Sequence, residues 1–241
     1  MRIAIFGDIH ANLEALQTVL EDARGLGCST FVCIGDIVGY NANPKQCLDL
    51  VRELDCPTVK GNHDEFCSRK DVDLDRLNPL AKATMSWTRD QLDDDDKQWL
   101  DELKLVRQVR DFTIVHATLD SPGAWAYVSN KFDAMASFNY QYTPVCFFGH
   151  THVPRVYEKA LSVETRQEYT ATIEAGRKYF INVGSVGQPR DGDWRSAYAV
   201  YDLNDKRVTI RRLEYDIATT QKKIRAAGLP DSLADRLALG K

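Results

Sequence analysis

The stretch Arg2-Ile3-Ala4-Ile5-Phe6-Gly7-Asp8-Ile9-His10 decides how the chain is read. A short apolar run ends at a glycine, the pattern of a buried strand leaving the core. Two polar residues follow at a spacing of two, which puts Asp8 and His10 on one side of an extended segment. Next comes a helix over 11–24, where Leu13, Leu16, Val19, Leu20 and Ala23 recur at helical spacing and Gly25 and Gly27 stop it. A second apolar strand, 30–34, runs into Gly35-Asp36. A helix over 44–54 and a short strand near 57–60 run into Gly61-Asn62-His63-Asp64. Strand–helix–strand–helix order implies a parallel sheet with right-handed crossovers.

Further along, 78–103 reads as mostly helical. Its Asp93-Asp94-Asp95-Asp96 run is better explained as solvated acids in the first turn of a helix than as a metal site. Adjacent strands are expected over 105–109 and 112–116, joined at Arg110-Asp111. A helix is expected near Phe132, then a strand over 145–148 that leads into Gly149-His150-Thr151-His152. The last third carries β pattern at 153–158, 178–183, 197–203 and 207–213. A helical tail from Ile217 is broken at Gly228-Leu229-Pro230. With no internal repeat or flexible linker, one domain over 1–241, with its helical tail from about 216, is the expected organisation.

The chain has 241 residues, 44% hydrophobic and 27% charged, the balance of an ordinary globular protein. A net charge of −4 argues against a nucleic-acid binder. A phosphate-bearing substrate would then need bound cations to reverse the sign locally. Six cysteines without a CxxC pair, several inside apolar runs, read as buried free thiols in a reducing compartment. The N-terminus lacks a signal-peptide pattern, and no apolar run approaches the roughly 20 residues of a membrane span. A cytoplasmic protein is therefore expected. The sequence leaves the oligomeric state open.

The chain has five histidines, His10, His63, His116, His150 and His152. Each follows an apolar run or a glycine turn where a strand is expected to end, and none falls in an expected helix. In a parallel α/β sheet, groups at the carboxyl ends of the strands meet along one crevice. Two aspartates, an asparagine and up to five histidines should converge there. Carboxylate oxygen with imidazole nitrogen suits manganese, iron, zinc or a related divalent ion. Each piece alone is weak: Gly61-Asn62-His63-Asp64 could be a β-turn. The ordered set points to a metal site.

That order, Asp8-x-His10, Gly35-Asp36, Gly61-Asn62-His63-Asp64, His116 and Gly149-His150-Thr151-His152, resembles the signature of the calcineurin-like metallophosphoesterase superfamily. The likeness runs from residue 5 to about 192, through Ile181-Asn182-Val183-Gly184-Ser185-Val186-Gly187-Gln188-Pro189-Arg190. The resemblance implies an α/β fold, a four-layer α-β-β-α sandwich with metals at one end. It implies two divalent ions, manganese first, with iron, zinc, nickel or magnesium as alternatives. Asp36 would bridge them. Asp8, His10 and His152 would complete the first site, and Asn62, His116 and His150 the second. His63 would be the general acid or phosphate-stabilising group, with Asp64 orienting it. The implied activity is phosphomonoester or phosphodiester hydrolysis by a metal-bridged hydroxide, on small nucleotide-type substrates.

Unlike the Ser/Thr phosphatase branch and its dinucleotide-tetraphosphatase relatives, this chain has no acidic residue and arginine after Gly35-Asp36, where Ile37-Val38-Gly39-Tyr40 stands, so protein-phosphatase activity on that pattern is not expected. Where the family's fourth block often reads His-Gly, the chain has His116-Ala117. Gly35-Asp36-Ile37-Val38-Gly39-Tyr40-Asn41 and Gly187-Gln188-Pro189-Arg190-Asp191-Gly192-Asp193 look like a compact prokaryotic subgroup of phosphoesterases. Tyr40, Asn41 and Arg190 are candidates for the substrate pocket, with loop structure as the alternative. Trp125 is a candidate cleft wall, while Trp87, Trp99 and Trp194 read as packing. Two other functions compete with this one: a scaffold that kept the fold and lost the chemistry, and a nuclease. The first would leave damaged ligand blocks and the second a basic stripe.

Overall fold

The computed structural model describes residues 1–74, 79–166 and 168–241. Two mixed β-sheets face each other. The first holds β1 (Arg2–Phe6), β2 (Cys28–Cys33), β8 (Thr170–Thr172), β10 (Ser196–Asp202) and β11 (Arg207–Leu213), in the order β2-β1-β10-β11-β8. The second holds β3 (Val106–Val109), β4 (Phe112–Val115), β5 (Val145–Phe148), β6 (Arg155–Lys159), β7 (Val163–Arg166) and β9 (Lys178–Asn182), in the order β3-β4-β5-β9-β6-β7.

Alternation along the strands explains the four layers. Ile3 and Ile5 of β1, Val145 and Phe147 of β5, and Ala199 and Tyr201 of β10 meet in one cluster between the sheets. Their neighbours point the other way. Ala4, Phe6, Tyr198 and Val200 pack outward under α1 (Leu13–Gly25) and α2 (Pro44–Glu53). Cys146 and Phe148 pack outward under α6 (Lys131–Tyr140), against Ala134 and Phe138. Strands buried on both faces must be apolar throughout, hence the continuous runs in the sequence. The expected α-β-β-α sandwich is present.

Several expected elements differ. Among the described strands, β1–β2, β4–β5 and β5–β9 pair in parallel and the others antiparallel, with β10 antiparallel to β1. No strand forms over 57–60. Thr58 bridges Cys33 and Val59 bridges Lys104, so two isolated pairings with different partners replace a ladder. Pro57 opens this segment without an N–H to donate. The next residues form a helix, α3 (Asn62–Ser68), so His63 is helical after all. The reason is local: Asp64 reaches back to accept from the Gly61 N–H at 3.0 Å, one half of a capping box. Strands β7 and β8 had no counterpart among the expectations.

The 78–103 region is helical as α4 (Pro79–Gln91) and α5 (Asp94–Glu102); Asn78 lies outside the described residues. Asp93 caps α5 and Asp96 answers it from N3, in keeping with the first-turn reading. Asp96 nevertheless departs from that reading, because it is buried and pairs with Lys45 and Arg52 of α2. The tail forms α7 (Ile217–Ala226) and α8 (Asp231–Leu237). Among the described residues no helix is long and apolar enough to cross a membrane.

Candidate metal centre

The ends of β1, β2, β4 and β5 and the start of α3 meet at one end of the sandwich. The backbone stitches them together. Asp8 N–H donates to the Gly35 carbonyl, both Ile9 and His10 donate to that of Asp36, and Gly149 donates to that of His116. Ligand atoms of Asp8, His10, Asp36 and His152 lie within 4.8 Å of one another, and so do those of Asp36, His116 and His150. Asp36 belongs to both groups. Asn62 stands beside the second, its Oδ1 3.3 Å from His116 Nε2. All the residues expected to ligate are thus brought together, six of them in these two groups, which could hold two cations.

The ring nitrogens show that the donor set fits metal. His116 Nδ1 lies 2.8 Å from the Ile34 carbonyl and His152 Nδ1 2.6 Å from that of Gln188. His10 Nδ1 faces the Val38 carbonyl at 3.3 Å. A carbonyl only accepts, so each Nδ1 must carry a proton, and each Nε2 is the nitrogen left to face a cation. His150 reverses this: its Nε2 meets the Trp125 carbonyl at 2.8 Å, leaving Nδ1 free. Each ring is fixed through one nitrogen and offers the other, the arrangement that orients metal-ligating histidines.

Backbone conformation supports the same reading. Asp8, His10, Ala11, Asp36, Tyr40, His150 and His152 all have left-handed φ, between 48° and 65°. Such residues cost free energy, and their clustering marks a functional site. Two glycines allow the approach: a Cβ at Gly61 would lie 2.1 Å from Asp36 Oδ1, and one at Gly149 2.2 Å from Asp8 Oδ2.

Electrostatics at the site follow first from burial. Burial pushes His10 well below its ordinary value, and its coupling to the neighbouring His63 acts in the same direction. Burial brings His150 down to about 4 and His63 to about 3. Burial acts on His116 too, but the Asp36 carboxylate outweighs it and raises that ring to about 9. His116 Nε2 and Asp36 Oδ2 are 3.3 Å apart, so in the absence of a cation a proton takes its place.

The expected roles around the pocket divide. His63 Nδ1 is buried without a hydrogen-bond partner, and its ring packs 4.6 Å from that of His10 and 4.3 Å from that of Tyr40. Arg190 reaches Tyr40 Oη at 3.4 Å, so both stand beside His63. Asn41 is buried, and its amide nitrogen is committed to the backbone, donating to the His10 carbonyl at 2.7 Å. Asp64 does not orient His63. Its oxygens accept from the backbone N–H groups of Asp36 and Ile37, each at 2.8 Å, and from Gly61. The helix that Asp64 caps turns its carboxylate toward the 35–38 loop. Trp125 lies at the rim, its ring 5.8 Å from that of His116 and its Nε1 donating to Glu65.

Other contributors had weaker signals. Tyr127 stacks on His150 at 4.3 Å. Asn182 donates to the Gly149 carbonyl and to Thr151 Oγ1, bracing the loop that carries His150 and His152. The polar end of the apolar 178–183 run was the available signal for Asn182. Nothing local marked Tyr127.

Two facing sheets thus carry two carboxylate–histidine groups at one end. The model of the calcineurin-like phosphoesterase superfamily domain matches residues 1–206. An uncharacterized protein of Methanocaldococcus jannaschii is 37% identical over 99% of this chain and 98% of its own length. A metallophosphoesterase from Sphaerobacter thermophilus superposes with a TM-score of 0.87 at 41% identity, covering 100% of this chain and 99% of that one. A hypothetical protein from Pyrococcus horikoshii shares the fold at a TM-score of 0.81 and 18% identity, covering 100% and 98%. The chain belongs to the calcineurin-like phosphoesterase superfamily.

Proposed function

We propose that the protein hydrolyses phosphomonoester or phosphodiester bonds of small nucleotide-type substrates, using two divalent ions. One observation supports the reading: two buried carboxylate–histidine groups share Asp36, and His116, His150 and His152 each have one ring nitrogen against a backbone carbonyl and the other left to face a cation. We assign Asp8, His10, Asp36 and His152 to the first ion and Asp36, Asn62, His116 and His150 to the second. Manganese is the proposed metal, on the mixed oxygen and nitrogen donors. When bound, such a pair polarises the phosphoryl oxygens and makes water a nucleophile at neutral pH.

The protein's own groups position the substrate. His63, neutral and with Nδ1 unengaged, supplies one N–H to a phosphoryl oxygen; an arriving anionic phosphate raises its affinity for a second proton. The buried neutral ring suits phosphate stabilisation, its N–H donating to a phosphoryl oxygen whose negative charge grows in the transition state. Arg190, fixed against Tyr40 and Gln188, adds a positive charge beside it. In the overall reaction water's oxygen joins phosphorus, the phosphorus–leaving-oxygen bond breaks, and a proton of water ends on the leaving oxygen.

We take residues 1–241 as one unit, since Thr220 and Lys223 of α7 bond to Asn12 and Glu14. A reducing, cytoplasmic compartment suits six unpaired cysteines. The test is hydrolysis of p-nitrophenyl phosphate and bis(p-nitrophenyl) phosphate by manganese-loaded protein, with elemental analysis of the same sample. Inactivity across metals and a nucleotide panel, with no bound transition metal, would sink this reading and leave a scaffold.

A further inference from the structure

Beyond residue 206, where the family match ends, the chain returns to the site with one more cation. Arg236 lies on α8, whose Leu233, Ala234 and Leu237 are buried in an apolar cluster that also packs Tyr40, Ala42, Leu80 and Trp87. The Arg236 guanidinium carbon stands 4.6 Å from the centre of the Tyr40 ring. That of Arg190 stands 5.8 Å from the same ring. Tyr40 in turn packs on His63 and His10. Two guanidinium groups therefore flank one tyrosine next to the candidate centre.

Neither charge meets a carboxylate among the described residues. Arg190 bonds only neutral groups, Tyr40 Oη and Gln188 Oε1. Arg236 Nε and Nη2 are shielded from solvent and have no acceptor. The acids of its own helix are engaged elsewhere, Asp231 and Asp235 with Arg225 of α7. Burial pushes Arg236 down to about 10, Tyr40 opposing and the Arg190 charge assisting; it stays protonated at neutral pH. A buried guanidinium with two unmet donors is costly, and an anion that accepts from its planar fork removes that cost.

We infer that Arg236 and Arg190 seat a second phosphoryl group of the substrate, next to the one that is cleaved. The favoured class is then esters with two or more linked phosphoryl groups, such as nucleoside diphosphates and dinucleoside polyphosphates, over simple monophosphates. This rests on the phosphoesterase reading and deepens it. The attack on phosphorus is the same, but the bond broken is a phosphoanhydride: water's oxygen joins phosphorus, the bond to the oxygen bridging the two phosphoryl groups breaks, and that oxygen takes the proton.

The test compares Arg236→Met, which keeps the apolar stem, and Arg236→Lys, which keeps the charge but not the fork, with the parent protein. The ratio of kcat/KM for ADP to that for p-nitrophenyl phosphate should fall tenfold or more in Arg236→Met and by less in Arg236→Lys. Independently of turnover, calorimetry on manganese-loaded His63→Ala protein should show ADP binding more tightly than AMP. That preference should be lost when Arg236→Met is added. Circular dichroism and thermal melting certify that both variants are folded. Ratios and ADP preference that stay within twofold of the parent overturn the inference. If the parent cleaves neither ADP nor p-nitrophenyl phosphate, the phosphoesterase reading itself has failed.

Discussion

The rings of His10 and His152 meet nitrogen to nitrogen, Nε2 to Nε2 at 3.0 Å, while each Nδ1 faces a backbone carbonyl. Both Nε2 atoms therefore present lone pairs to each other, and Asp8 Oδ1 adds a third acceptor 3.3 Å from His152 Nε2. Acceptors crowded this way repel unless a cation lies between them. Manganese should accordingly raise the melting temperature of chelator-treated protein, by about 2.7 kcal/mol of stability at a hundredfold excess over Kd. His152→Ala should reduce bound manganese from about two ions per chain toward one, the two-ion count being that of two-metal hydrolases. A melting curve indifferent to manganese would remove the basis for the metal assignment.

His63 offers a different contrast, since it packs against a proposed ligand but belongs to neither ligand group. His63→Ala should retain its metal and lower kcat by about 10²–10⁴, the usual worth of a positioned proton donor or acceptor. Elemental analysis and steady-state kinetics on the same preparation separate the two effects. A variant that loses its metal together with its activity would show that His63 is structural or a ligand, and not a group acting on phosphate.

Asp64 holds the loop that presents Asp36, accepting from the N–H groups of Asp36 and Ile37. Its removal should act through the metal. Asp64→Ala is expected to weaken manganese binding about 10–100-fold, the range for groups that support a ligand without touching the ion. Unfolding should also become easier by about 1–3 kcal/mol for each buried N–H left without an acceptor. Unchanged metal affinity with a depressed kcat would restore the expectation that Asp64 orients His63.

The residues of the centre were legible because each follows an apolar run, and apolar runs in a sheet buried on both faces end at the rim. Asp8, His10, His116, His150 and His152 follow that logic directly. His63 did not, because the Asp64 cap that makes 62–68 helical is a side-chain to backbone bond with no periodic trace. Strands β7 and β8 are 4 and 3 residues long, too short to show alternation. Asn41 looked like a pocket residue from its place beside Tyr40, yet its amide is committed to the His10 carbonyl. Arg236 lies 196 positions from Tyr40 in the numbering, and only the packing of α8 brings them together. Local chemistry could be read along the chain; long-range partners required the fold.

Far from the centre, Asp22 joins α1 to the first sheet, accepting from Tyr198 Oη and Arg211 Nε, each at 2.6 Å, and from Arg211 Nη2 at 2.8 Å. Burial acts to raise its pKa, but these donors outweigh burial and hold the carboxyl below its usual range. A carboxyl held low in the folded state stabilises fully above the unfolded-state pKa, about 3.9, and loses that contribution as pH falls through the folded value. Asp22→Asn keeps the shape and removes the charge that Arg211 meets. At neutral pH it should cost about 1.5–3 kcal/mol, the range for hydrogen bonds to charged groups. The difference from the parent should stay constant from about pH 8 to pH 5 and narrow below about pH 4, where Asp22 begins to be protonated in the parent. Urea midpoints measured on metal-free protein keep loss of cations out of the comparison. A gap that persists undiminished to about pH 2 would mean that packing around Tyr198, and not the carboxylate's charge, ties this helix to the sheet.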